Sequence, residues 1–136
     1  MRTRSAIGKH SRRKGVRFEL DVAEALRAVY PEARRNLSQS RTARREGGDI
    51  LGVPFHVECK AGARIDLDAA LAQAEADTIG GMSPMHLRCV VVAKQDRKPA
   101  VVYARARVLG WTDAPPWLVV TIPAADWYTL LQRGMT

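Results

Sequence analysis

The segment "FHVECK" at residues 55–60 constrains the fold of this chain most, because its apolar and polar residues alternate without a break. A period of two belongs to a β-strand, whose successive side chains point to opposite faces. Phe55, Val57 and Cys59 then form a core face, and His56, Glu58 and Lys60 stand on the other. The preceding "GGDILGVP" reads as the first arm of a hairpin. A two-residue loop through Gly52 and Val53 would pair Leu51 with Pro54, Ile50 with Phe55 and Asp49 with His56. That register puts Asp49 on the same sheet face as Glu58, its diagonal neighbour, with Lys60 further along.

The other elements follow from periodicity and punctuation. Val16, Leu20, Ala23, Leu26 and 28–30 repeat at helical spacing, so a helix is expected over residues 14–30, stopped by Pro31. Residues 1–13 lack such a pattern and read as a flexible basic arm, leaving 14–136 as a single domain. A short strand is expected over 34–38, then a mobile loop rich in Ser and Arg. Asp66 is a suitable N-cap for a second helix over 67–79, and Gly80 and Gly81 suit its end. "HLRCVVVAKQD" and "PAVVYARARV" read as strands joined by a turn at 96–99, "WLVVTIP" as a further strand and "AADWYTLLQRG" as a closing helix. The fold class is therefore α/β, a mixed central β-sheet flanked by helices.

Charge narrows the partners. Residues 1–48 hold thirteen Lys or Arg against five acids, and the rest of the chain holds nine of each sign, so the net charge of +8 belongs to the first third. A one-sided basic surface attracts polyanions, of which the nucleic-acid backbone is the common one. The basic residues are not interleaved with large apolar anchors, which argues against a membrane surface. No apolar run reaches the length of a membrane span and the N-terminus has no secretory h-region, so the expected compartment is the cytoplasm. Cys59 and Cys89 lie in apolar runs and read as reduced core residues.

Two carboxylates brought together on an open face repel each other unless they share a cation, and hard oxygen donors suit Mg²⁺, with Mn²⁺ as a substitute. A lysine beside such a metal offers fixed positive charge to a phosphate in its transition state. Asp49, Glu58 and Lys60 thus fit metal-assisted phosphodiester hydrolysis. Spacing alone equally fits an ion-paired, solvated sheet face.

Asp49, a short spacer and Glu58-Cys59-Lys60 resemble the D…(E/D)-x-K motif of the PD-(D/E)XK nuclease superfamily, with Gly48 in place of the motif's proline. "RKGVRFELDVAEAL" at 13–26 resembles the opening of the archaeal-type Holliday junction resolvases, where Arg-Lys-Gly precedes a glutamate four residues after the glycine, here Glu19. The resemblance covers residues 13 to about 79. The resemblance implies a restriction-endonuclease-like core of helix, three antiparallel strands, helix and further strand. It also implies that Asp49, Glu58 and the backbone carbonyl of Cys59 hold the metal, that Lys60 supports the attacking water and that Glu19 completes the acidic cluster. Gln73 takes the place where many such nucleases carry a polar residue near the scissile phosphate.

The function so implied is a structure-selective DNA endonuclease, a Holliday junction resolvase cutting four-way junctions as a homodimer. The alternatives are another PD-(D/E)XK endonuclease, restriction-like, repair or nicking, and a non-catalytic DNA-binding protein of the same fold. A compact basic resolvase also fits a phage gene product, for which the compartment is the host cytoplasm. Arg12, Arg13, Lys14 and Arg17 are candidate phosphate contacts, and Ser38, Ser40, Arg41, Arg44 and Arg45 match the family's use of hydroxyl and basic residues just before the motif aspartate. The chain departs from the small archaeal enzymes in its longer basic arm and in the material around "VLGWTDAPPW". His10 and His86 have no partner at metal-ligand spacing, which argues against zinc. Trp111, Trp117 and Trp127 suit a core or a dimer contact, or stacking on bases.

Overall fold

A computed structural model describes residues 4–37, 48–80 and 88–134. The candidate residues Ser38, Ser40, Arg41, Arg44, Arg45 and His86 lie outside the described residues. In chain order the elements are α1 (Arg4–Arg27), β1 (Arg34–Arg35), β2 (Ile50–Leu51), β3 (His56–Gly62), α2 (Leu67–Gly80), β4 (Cys89–Gln95), β5 (Val101–Arg105), β6 (Val119–Pro123) and α3 (Ala124–Gln132).

Helix α1 buries Val22, Ala23 and Leu26, with Phe18 packed beside them, which is one stripe at spacings of three and four. It starts at Arg4 rather than residue 14. The added turns need no apolar stripe, because extending a nucleated helix costs little and Arg, Lys and Ala are good helix formers. Arg27 is the last helical residue. Its Nε donates to the Ala33 carbonyl at 2.9 Å and draws the chain into β1.

The four-stranded sheet has the order β3-β4-β5-β6. β3 runs parallel to β4, with His56 opposite Cys89 and Gly62 opposite Gln95, and the other pairs are antiparallel. The crossover between the parallel strands is α2, capped as expected by Asp66, whose Oδ1 accepts from the Ala69 N–H at 3.0 Å. Helices cover both faces. Val90 and Val92 join Phe55, Val57, Val102, Trp127 and the α1 stripe on one side. Cys89, Val91 and Ala93 meet Ala70, Leu71 and Ala74 of α2 on the other. A strand covered on both faces has no reason to alternate, hence the continuous apolar run of β4. Trp127 fills the first core and meets Phe55 edge-on at 5.7 Å, while Trp111 and Trp117 are exposed.

The structure overturns the expected hairpin. β2 pairs back onto β1, Arg34 with Leu51 and Arg35 with Ile50, and among the described residues the backbone pairing of this segment with β3 is one parallel bridge between Gly48 and Val57. The three antiparallel strands implied by the resemblance are therefore not formed by β1, β2 and β3. Pro54 has no N–H to give to a ladder. Gly52, at φ +80°, sits so close to the Glu32 carbonyl that a Cβ would lie 2.2 Å from it, so the turn closes on the α1–β1 connection instead. The open polar face also fails as an expectation: with α2 above them, His56 and Glu58 are buried.

Candidate active site

β3 is an edge strand of the four-stranded sheet, and the site is built on the edge turned away from β4. His56 uses its backbone toward β4, its N–H donating to the Arg88 carbonyl at 3.1 Å. Strand alternation then turns the backbone groups of Val57 and Cys59 to the opposite edge, where Asp49 takes them up. The Asp49 N–H donates to the Val57 carbonyl at 2.7 Å, and the Cys59 N–H donates to Asp49 Oδ2 at 2.8 Å. The Asp49 side chain thus extends the strand pairing where the ladder stops. Asn36 holds the segment from behind: its backbone N–H donates to the Asp49 carbonyl and its Nδ2 to the Gly48 carbonyl, both at 2.8 Å.

Gly48 explains the missing motif proline. Its φ is +76°, and a Cβ would lie 2.6 Å from the Val57 carbonyl oxygen. Proline is locked near φ −65° and cannot adopt this conformation. The close approach of Gly48 to β3 therefore requires glycine.

Glu58 follows on β3 and is only 8 % exposed. His56 Nε2 lies 3.0 Å from its Oε1, and because an ionised carboxylate only accepts, the imidazole nitrogen carries the proton in that pair. Glu19 comes from α1 and accepts from Arg35 Nε at 2.5 Å. Burial pushes the Cys59 thiol well above its ordinary range, and the negative charges of Asp49, Glu19 and Glu58 raise it further. The charges of Asp49, Glu19 and Glu58 thus all bear on Cys59. Among the described residues, no three His, Cys, Asp or Glu side chains form a ready-made metal cage. The donors that would serve are two carboxylates and the Cys59 carbonyl, which shares the edge with its N–H. This hard, incomplete oxygen set suits Mg²⁺, a cation that keeps several waters.

Lys60 is exposed and lines a groove of about 320 Å³ with Arg64, Asp66 and Gln73. Gln73 Nε2 is engaged with Asp77 at 2.8 Å. On α1, Arg12, Arg13 and Arg17 are exposed, and Lys14 is paired with Asp96. Sequence reasoning missed Asn36 and Arg35 as supports, and placed His56 in the open. The signal for His56 was its position two residues before Glu58 on one strand face. No family model, curated protein or solved structure matches the chain.

Proposed function

We propose that the protein is a Mg²⁺-dependent DNA endonuclease with a restriction-endonuclease-like core, acting as a homodimeric Holliday junction resolvase. The observation that carries this reading is the Cys59 N–H bonded to Asp49 Oδ2, which brings the aspartate of the motif beside Glu58-Cys59-Lys60 without the hairpin. Asp49, Glu58 and the Cys59 carbonyl would hold the ion, with Glu19 adding negative charge from α1. When bound, Mg²⁺ or Mn²⁺ polarises the phosphodiester and lowers the pKa of a coordinated water. The chain's own groups do the rest. His56 fixes the orientation of the Glu58 carboxylate, Asn36 and Gly48 fix Asp49, and Lys60 presents its ammonium to the water and to the charge that grows on phosphate. Arg12, Arg13, Lys14 and Arg17 neutralise the DNA backbone. Cleavage of this type leaves a 5′-phosphate and a 3′-hydroxyl.

The free thiols Cys59 and Cys89 fit a reducing cytoplasm. Among the described residues no helix is long and apolar enough to cross a membrane. One observation favours a second reading, a DNA-binding protein without turnover: Glu58 and Glu19 already have basic partners in His56 and Arg35. Labelled four-way junction and matched duplex, incubated with Mg²⁺ or EDTA, separate the readings. Paired nicks in the junction alone, lost in EDTA, support the resolvase. Equal cutting of duplex leaves a nuclease of another specificity, and tight binding without cutting in any divalent metal leaves the binder.

A further inference from the structure

A second groove, of about 470 Å³, opens between α1 and the carboxyl ends of β3 and β4. Four cations from three elements meet there: Lys14 and Arg17 of α1, Lys94 of β4 and Arg97 of the β4–β5 turn, against the acids Asp21 and Asp96. The turn is fastened in place. The Asp96 N–H donates to the Gly62 carbonyl at 2.9 Å, and the Asp96 carboxylate accepts from Lys14. Arg97 holds φ +64° and is the non-glycine residue with positive φ among the described residues, a conformation that costs free energy and fixes where the side chain leaves the turn. Ala61 lines both this groove and the one containing Lys60 and Gln73. The two grooves are therefore neighbours along β3, sharing one small side chain.

We infer that the Lys14–Arg17–Lys94–Arg97 groove is a phosphate-binding subsite for the DNA strand that enters the Lys60 groove. It rests on the nuclease reading and adds Lys94 and Arg97 to the substrate contacts. A nucleic-acid strand carries one phosphate per about 3.4 Å of helix axis, so a chain crossing Ala61 presents phosphates on both sides of it. The cations here lie outside the acidic cluster, so they position DNA and do not touch the reacting atoms.

The test is binding of labelled DNA duplex by anisotropy, in Ca²⁺, between 50 and 200 mM salt. Each phosphate contact contributes about 0.9 to the slope of log affinity against log salt. Lys94→Gln with Arg97→Gln should lower that slope by about 1.8, so that over this range the wild type loses roughly twelvefold more affinity than the variant. Arg97→Gly removes one cation while relieving the positive φ, which protects folding, and should lower the slope by about 0.9. Lys98→Gln, on the same turn but outside this groove, should leave the slope unchanged. A wild type that binds and cuts DNA while the Lys94 and Arg97 variants keep its slope overturns the subsite alone. A wild type that binds no DNA overturns the nuclease reading and the subsite with it.

Discussion

Gly48→Ala tests the architecture of the site more sharply than a charge deletion. The substitution forces an L-residue to hold φ +76°, which costs roughly 1–2 kcal/mol. The new Cβ would stand 2.6 Å from the Val57 carbonyl oxygen and 3.1 Å from its nitrogen, backbone atoms that no rotamer change can move. The strand segment must retreat, and the adjacent Asp49 N–H to Val57 carbonyl bond, now 2.7 Å, lengthens at a cost of about 1 kcal/mol. Together these give about 2–3 kcal/mol of destabilisation in a urea melt. Gly62→Ala is the control, since its Cβ meets nothing within 4 Å, and should stay within about 0.5 kcal/mol of wild type. Gly15→Ala in α1 also meets nothing and should stabilise the helix by up to about 1 kcal/mol. Below its melting range Gly48→Ala should still cut DNA poorly, because Asp49 is no longer held against Cys59. A Gly48→Ala protein as stable as the Gly62→Ala control would refute the close approach, and a well-folded Gly48→Pro would refute the assigned backbone conformation.

His56→Ala removes a buried hydrogen bond to a carboxylate, for an expected loss of about 1.5–3 kcal/mol, and His56→Gln should restore part of it by supplying an amide donor. Equal stability of the Ala variant and wild type would show that Glu58 does not depend on the imidazole. Alkaline pH should weaken the fold through Cys89, whose thiol is pushed up to about 11 by burial from an ordinary 9.0. Since the native state favours the protonated thiol, its contribution is fully present below about pH 9 and is lost as pH rises through about 11. Urea midpoints measured from pH 8 to 11 should fall less steeply for Cys89→Val than for wild type, and identical slopes would remove Cys89 from the account.

The strands and helices of the second half were legible because each carries its own punctuation. Asp66 caps α2, the turn at 96–99 separates β4 from β5, and Pro123 precedes α3. The start of α1 was hidden because residues 4–13 are helical without an apolar stripe, the one signal that periodicity reads. The hairpin error has a different origin. Hairpin register depends on which partner a short strand finds, and β1 competes successfully with β3 for β2. Asp49 meets β3 without that hairpin, through its own N–H and a side-chain oxygen, contacts that need no extended ladder. Asn36 was unreadable as a support: its two bonds run to the Gly48–Asp49 backbone, twelve or more positions away, and no local pattern marks them.

The central claim is that the Asp49, Glu58 and Cys59 edge of β3 holds the ion that cuts DNA. Single-turnover cleavage of a labelled four-way junction across a Mg²⁺ titration, with Glu58→Gln and Asp49→Asn alongside wild type and DNA affinity measured in Ca²⁺ for all three, tests it most directly. The account predicts Mg²⁺-dependent cutting by wild type, a fall of at least about a hundredfold in both variants, and affinities within a few-fold of one another. Cutting by the variants at the wild-type rate, or by wild type in EDTA, would contradict it.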